Sequence, residues 1–294
     1  MPELPDITVY QESLETRIVG ATLLHIRILN PFVLRTAVPP ITDAEGQRVR
    51  TIERLGKRIV IGLDGDLFLV IHLMIAGRLH WLAEHVKPPG RITLALLEFD
   101  SGRLALTEAG TRRRVALHLV AGRAALAAFD AGGIDVATCG AATFAMRMRR
   151  ENHTLKRALT DPHIVDGIGN TYSDEILHAA RLSPLTLTQK ASDDELACLH
   201  QAARDVLALW TERLRAEAAG RFPEGVTAFR PGMAVHGKFG QPCPVCGRPV
   251  QRIVYAENEC NYCAHCQTGG RLLADRALSR LLHKSWPRTL DDAG

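Results

Sequence analysis

Cys243-Pro244-Val245-Cys246 and, after sixteen further residues, Cys263-Ala264-His265-Cys266 stand near the end of this chain. Two Cys-x2-Cys pairs at that separation can bring four thiolates to the corners of one tetrahedron, the ligand set and geometry of a structural zinc ion. The spacing predicts a β-hairpin with one pair on each arm. Cys260 could compete by pairing with Cys263, and His265 could serve as a fourth ligand. Either would break the two-knuckle symmetry, so the expected ligands are Cys243, Cys246, Cys263 and Cys266, holding one zinc. A closed four-cysteine site is a folding device and supplies no catalysis of its own. Cys139 and Cys198 are isolated and read as small buried hydrophobes.

Working back from the finger, the periodicity is helical over roughly 142–150, 154–160, 171–181 and 192–216. The last segment has Ser192 and Glu195 as a capping box, with Leu196, Leu199, Ala203, Val206, Trp210 and Leu214 on one face. Asp161-Pro162-His163-Ile164-Val165-Asp166-Gly167-Ile168-Gly169-Asn170 links the second and third helices and ends at a residue able to cap a helix. A helix–two-turn–helix of this kind offers backbone N–H groups and a helix N-terminus to an anion such as a phosphate. Beyond the finger, Arg276, Arg280 and Lys284 form a basic stripe on a short amphipathic helix, a solvated face or a contact for a nucleic-acid backbone.

Residues 23 to about 120 read as strands. Leu24, Ile26 and Ile28 alternate with His25 and Arg27, the period of a half-buried strand. Arg58–Leu63 and Leu67–Leu73 flank Asp64-Gly65-Asp66, and Arg91–Phe99 and Arg103–Thr107 flank Asp100-Ser101-Gly102, both hairpin patterns. Short strands joined by turns predict a β-sandwich. Ile7, Tyr10, Leu14 and Ile18 predict a helix over 6–19 in front of it, stopped by Gly20. The expected fold is thus α+β: a sandwich domain at 1–130, a linker at 131–141, a helical domain at 142–235, the zinc hairpin at 236–270 and a basic tail at 271–294.

A chain of 294 residues has room for two cores, and its net charge of +4 permits a nucleic-acid partner without demanding one. There is no apolar run of membrane-spanning length and no basic-then-apolar leader, and the clustered thiols suit a reducing compartment, so a cytosolic protein is expected. The opening residues, Met1-Pro2-Glu3-Leu4-Pro5-Asp6, have two readings. One is a helix start, with proline in the first turn and acid at the positive end of the dipole. The other is chemical. Removal of Met1 leaves Pro2 with a free secondary amine, and an α-amino group titrates near about 8, so roughly a tenth is free base at neutral pH. Condensed with a sugar C1′, that amine gives an iminium ion, an electron sink beside the Glu3 carboxylate.

Pro2-Glu3-Leu4-Pro5, Gly56-Lys57 opening a strand, the Gly167-Ile168-Gly169-Asn170 turn, Val235-His236-Gly237-Lys238-Phe239-Gly240-Gln241-Pro242-Cys243 and the four-cysteine hairpin occur in that order. Together they resemble the formamidopyrimidine-DNA glycosylase/endonuclease VIII family of base-excision repair enzymes, from residue 2 to about 268. The resemblance implies a monomeric DNA glycosylase and abasic-site lyase, acting in the cytoplasm on double-stranded DNA with a damaged base or an abasic site. Pro2 would be the nucleophile and Glu3 the proton shuttle. Lys57 would hold a phosphate beside the lesion and donate a proton in strand cleavage. Asn170, with Lys156 as a further candidate, would grip backbone phosphates.

The chain also departs from the family's pattern. Asp6 stands where glutamate is usual. Met74-Ile75-Ala76-Gly77 replaces a Gly-Met-Ser-Gly run, so the residue filling the gap left by the flipped base would be Ile75 or Met74. Glu108-Ala109-Gly110-Thr111-Arg112-Arg113-Arg114 replaces an Asp-Pro-Arg-Arg-Phe-Gly loop, leaving Arg112 or Arg113 as wedge without the aromatic partner. Asn258 stands where the finger carries an arginine; lacking charge and a bidentate fork, it points to β-elimination without a following δ-elimination, unless Arg271 or Arg276 compensates. Two other functions fit the same residues: a lesion-binding protein of this fold without catalysis, and an abasic-site lyase that removes no base.

Overall fold

Helix α1 (Leu4–Ile18) starts with Pro5 in its first turn and buries Ile7, Tyr10, Leu14 and Ile18 completely, the face that the spacing predicts. The computed structural model describes residues 1–83, 85–110, 112–255, 258–274 and 289, so Arg276, Arg280 and Lys284 of the basic stripe lie outside the described residues. Eight strands follow α1: β1 (Leu23–Ile28), β2 (Val49–Leu55), β3 (Arg58–Leu63), β4 (Leu67–His72), β5 (Gly77–Leu82), β6 (Thr93–Phe99), β7 (Gly102–Glu108) and β8 (Ala116–Ala121). They pair antiparallel into two four-stranded sheets, β1-β6-β7-β5 and β2-β3-β4-β8.

One core joins the sheets and α1. Ile59, Ile61, Leu69, Ile71, Leu117 and Leu119 come from the second sheet, and Leu79, Leu97, Leu104 and Leu106 from the first. The apolar runs of β3 and β4 are nearly continuous rather than alternating because the outer face of that sheet is covered too. There Val60, Phe68, Val70 and Val120 pack with Leu126 of the short helix α2 (Arg123–Ala127).

The helical segments are α3 (Ala141–Arg149), α4 (Leu155–Thr160), α5 (Asn170–Ala179) and α6 (Asp193–Ala218). The predicted capping box sets the start of α6: Glu195 N–H donates to Ser192 Oγ at 3.1 Å and Ser192 N–H to Glu195 Oε2 at 2.8 Å. Cys198, expected to be buried, is exposed, because it falls off the stripe of Leu196, Leu199, Ala203 and Leu207; Cys139 is half-buried. Strands β9 (Gln251–Tyr255) and β10 (Asn258–Tyr262) pair antiparallel, and α7 (Ala264–Thr268) follows.

Two compact units result. One is Met1–Ala131 with Leu209–Ala228; the other is Gly132–Ala208 with Phe229 onward. The end of α6 therefore counts with the sandwich, where Arg215 pairs with Glu12 through Nε at 2.8 Å. The stretch expected as a linker is tied down within its own unit: Asp166 N–H donates to the Ile134 carbonyl at 2.9 Å and Ile134 N–H to the Ile164 carbonyl at 3.1 Å.

A tight turn joins β4 to β5, where Gly77 N–H donates to the Leu73 carbonyl at 2.9 Å and Met74 takes a left-handed φ of 53°. A Cβ on Gly77 would collide with that carbonyl and with Val115. Gly77→Ala is expected to destabilise the protein by roughly 2 kcal/mol, lowering Tm by about 4–8 °C. A thermal melt with unchanged Tm would contradict this account of the turn.

Candidate catalytic site and DNA-binding elements

The first turn of α1 sets the N-terminus. Glu3 is its N-cap, and the Glu3 N–H donates to Asp6 Oδ2 at 3.0 Å. Asp6 is shorter than the glutamate usual in the family, and in this chain it serves as the return arm of a capping box. Both carboxylates are nearly inaccessible, Glu3 at 2% and Asp6 at 5% exposure. With Met1 in place, burial holds the Met1 amine below its ordinary pKa of 8.0; the charges of Arg78 and Lys57 add to the lowering, while Glu3 and Asp6 oppose it. The terminal amine, Glu3 and Lys57 thus belong to one electrostatic neighbourhood.

Lys57 is placed by a two-residue hairpin turn. Leu55 pairs with Arg58, and Gly56, at φ 61°, takes the left-handed first position that such a turn requires. The lysine therefore caps the β2–β3 hairpin rather than standing within a strand. Arg58 faces His72 across the β3–β4 ladder. Burial lowers the His72 pKa from 6.5 to about 4, with Arg58, Lys57 and His118 contributing in the same direction. Sequence reasoning passes over His72, whose only signal is a polar residue ending an apolar strand.

Of the expected wedge residues, Ile75 stands at the tip of the β4–β5 turn with 58% of its surface exposed, and Met74 is half-buried beside it. Arg112 and Arg113 are exposed on the loop after β7. That loop is held from inside by Glu108, which is 1% exposed. Its carboxylate accepts Arg114 N–H at 2.9 Å, and Arg113 Nη1 donates to the Glu108 carbonyl at 2.9 Å. A lone acid at the end of an apolar strand is the available sign of that role.

The second unit carries the Gly-rich turn. Gly167 has φ 75°, and Gly169, with no side-chain cap, is the N-cap of α5. Asn170 is therefore the first helical residue and not the cap. Its Nδ2 instead donates to the Glu259 carbonyl of β10 at 2.9 Å. Lys156 points inward: its side chain is 12% exposed, and Nζ donates to Asp174 Oδ1 at 2.6 Å and to the Asn170 carbonyl at 2.7 Å. The other Asp174 oxygen takes His236 Nδ1 at 2.8 Å. Glu175 accepts the backbone N–H groups of Ala234, Val235 and His236 at 2.7, 2.9 and 2.9 Å. Asp174 and Glu175 lie on the buried face of α5, which helical periodicity around Tyr172 and Ile176 could have flagged.

Sγ atoms of Cys243, Cys246, Cys263 and Cys266 all lie within 4.8 Å of one another. Two of the separations are 3.9 Å (Cys243–Cys266) and 3.4 Å (Cys246–Cys263). A tetrahedral ion with Zn–S bonds of about 2.3 Å needs sulfurs about 3.8 Å apart, so the cluster fits zinc. The pairs do not lie in the arms of the hairpin. The first sits in a knuckle before β9, where Cys243 N–H donates to the Arg248 carbonyl and Gly247 takes φ 73°; the second brackets the start of α7. Cys260 is buried away from the cluster, and burial raises its thiol pKa, with the Asp174 charge acting in the same direction. Outside the cluster, His178 Nε2 lies 3.3 Å from Cys243 Sγ, an outer contact of the kind that orients a ligand. Asn258 opens β10, and its side chain lies outside the described residues.

Comparison with known proteins agrees with this layout. Residues 1–117 match the formamidopyrimidine-DNA glycosylase N-terminal domain, 135–216 the H2TH domain of the same enzymes, and 240–269 the zinc finger found in FPG and IleRS. Formamidopyrimidine-DNA glycosylase of Thermus thermophilus is 32% identical over 283 residues, covering 92% of this chain and all of that one. An uncharacterised formamidopyrimidine-DNA glycosylase-like protein of Mycobacterium tuberculosis is 44% identical over 128 residues, 44% of this chain and 79% of its own length. Lactococcus lactis Fpg in complex with abasic-site DNA shares the fold at a TM-score of 0.80 and 23% identity, over 90% of this chain and 99% of the other. The chain belongs to the formamidopyrimidine-DNA glycosylase family, and its four-cysteine cluster is that family's structural zinc site.

No helix among the described residues is long and apolar enough to cross a membrane.

The His72 environment fixes a pH dependence. With a folded pKa near 4 and an unfolded value of 6.5, the unfolded chain binds more protons between the two. Stability from this group is therefore complete above about 6.5 and declines as pH falls toward 4. His72→Gln should lose less Tm than the wild type between pH 7.5 and pH 5. Equal losses would contradict the assignment.

Proposed function

We propose that this protein is a DNA glycosylase with abasic-site lyase activity. The observation that carries the proposal is Pro2, buried at the head of α1 next to the buried carboxylate of Glu3, in a neighbourhood where the Arg78 and Lys57 charges disfavour a protonated terminal amine. A protein that only binds lesions needs neither a desolvated amine nor a buried carboxylate next to it.

The chemistry follows from those groups. After Met1 is removed, the Pro2 nitrogen attacks C1′ of a nucleotide turned out of the duplex, and the damaged base leaves with the electrons of the N-glycosidic bond. Glu3 takes up the proton that the Pro2 nitrogen sheds after attack and returns it to the ring oxygen as the sugar opens, leaving a cationic iminium. That cation acidifies C2′; loss of a C2′ proton expels the 3′-phosphate by β-elimination, and water then hydrolyses the conjugated iminium, returning the Pro2 amine. Lys57, at its hairpin tip, pairs with the phosphate beside the lesion and supplies a proton to the departing oxygen.

Turning the nucleotide out costs a few kcal/mol, least at a damaged or mismatched pair. Ile75 supplies an exposed apolar side chain to fill the gap, with Met74 behind it. Arg112 and Arg113 supply cations on a loop whose base is fixed by Glu108. Asn170 and the N–H groups at the start of α5 suit a backbone phosphate. Lys156 acts on DNA indirectly, by fixing the Asn170 carbonyl, since its own charge is taken up by Asp174. The enzyme would act as a cytoplasmic monomer on duplex DNA, stopping after β-elimination, because Asn258 cannot supply the charge of an arginine at that place.

Borohydride trapping on an abasic duplex and on lesion-containing duplexes tests the proposal. A covalent protein–DNA adduct is expected, and Pro2→Gly should reduce it at least about tenfold. Absence of adduct on every duplex would refute the enzymatic reading; adduct on the abasic duplex alone would leave a lyase that removes no base.

A further inference from the structure

Arg78, the second residue of β5, is placed unlike a solvated strand arginine. Its Nη1 donates to the carbonyls of Gly77 at 2.6 Å and Ile75 at 3.2 Å, within the turn that presents Ile75. Its Nε donates to the Val226 carbonyl at 2.6 Å, from a segment 148 residues away in sequence. One guanidinium therefore bridges two pieces of chain that share no secondary structure.

The second piece is a strap. Helix α6 ends with Ala219 and Gly220 both left-handed, at φ 49° and 75°, which turns the chain back. The strap then runs against β5, the outer strand of its sheet, whose far edge no strand among the described residues covers. Phe222 packs on Trp81 at 6.4 Å and on Tyr10 of α1 at 5.6 Å between ring centroids. Glu224 Oε2 meets His80 Nδ1 at 2.6 Å, and Val226 is buried in the sandwich core. Arg17 of α1 donates to the Gly220 carbonyl at 3.0 Å. Phe222 and Val226 give the strap its hold, and Arg78 gives it its register relative to the turn.

We propose that Arg78 is a positioning residue that braces the Ile75 turn and the strap 220–226 against each other beside the terminal amine, so that wedge and nucleophile are set together. The inference rests on the proposed glycosylase chemistry and extends it to a residue outside the reacting set. Arginine suits the task because its planar fork can reach several carbonyls at once, which a lysine ammonium at the same site cannot do in the same geometry. The same cation is among the charged groups that bear on the Met1 amine, with Glu3, Asp6 and Lys57, and its sign opposes protonation there; on the Pro2 amine left by loss of Met1 that sign favours the free base that attack on C1′ requires.

The test compares wild type, Arg78→Gln and Arg78→Lys. Hydrogen–deuterium exchange of peptides covering 73–80 and 219–228 reads the brace without reference to activity; in Arg78→Gln both are expected to exchange faster together. In trapping assays Arg78→Gln should raise KM for a lesion duplex by about tenfold, the effect of losing hydrogen bonds from a charged donor. It should also move the rising limb of the pH–rate profile upward, since losing a nearby cation raises the pKa of the amine. Arg78→Lys keeps the charge and loses the fork, so it should restore the pH limb but not KM. Unchanged exchange in either segment of Arg78→Gln, or an unmoved pH limb, would overturn the proposal. Should the wild type trap no adduct, the glycosylase reading falls, while the exchange data still decide whether Arg78 braces the two segments.

Discussion

A chain terminus is ordinarily the most mobile part of a protein, so an N-terminal amine can serve as a nucleophile only if something holds it still. Here helix α1 does so. Ile7, Tyr10, Leu14 and Ile18 are fully buried, each worth about 1.5–3 kcal/mol as removed apolar surface, whereas the Asp6 cap on the Glu3 N–H is worth about 1 kcal/mol. Burial anchors the helix; the cap aims the residues in front of it. The same packing buries Pro2 and desolvates the Met1 amine ahead of it, and Lys57 and Arg78 bring positive charge to that end of the chain from a hairpin turn and an edge strand.

The second unit is organised by charge. Asp174, with no exposure, takes Lys156 on one oxygen and His236 on the other, and Glu175 takes three consecutive backbone N–H groups. An ion pair buried as deeply as Lys156–Asp174 forfeits hydration about as fast as it gains attraction, so it is poor evidence of stability. The consequence of these contacts is orientation: the α5 N-terminus, the segment leading into the finger and, through Asn170, strand β10 are locked in one arrangement. The stabilising energy of the finger comes from its four thiolates and zinc.

Much of this is legible in the residues. Alternation, apolar runs and helical patterns locate β1, β3, β4, β6 and β7, α1 and α3 to α6, while β2, β5 and β8 are not individually marked, and the cysteine spacing names the zinc ligands outright. What escapes reading depends on partners that no local pattern pairs, several of them far apart in sequence. Arg78 meets Val226 only because the strap returns along β5, and Lys156 looks like a phosphate ligand until Asp174 is seen beneath it. Glu108 reads as a loop acid, yet it is buried and holds that loop's backbone. The cysteine pairs are expected on hairpin arms because spacing reports that they meet, not which turns carry them. Cys198 misleads because residue type alone suggests burial, whereas its place on the helix puts it off the buried stripe.

The central claim is that the reacting group is the amine of Pro2. Proteolysis and mass spectrometry of the borohydride-trapped complex test it most directly. The account predicts that the reduced sugar adduct is carried by an N-terminal peptide that begins at Pro2, with Met1 absent. An adduct on Lys57 or another side chain, or active protein that retains Met1, would contradict it.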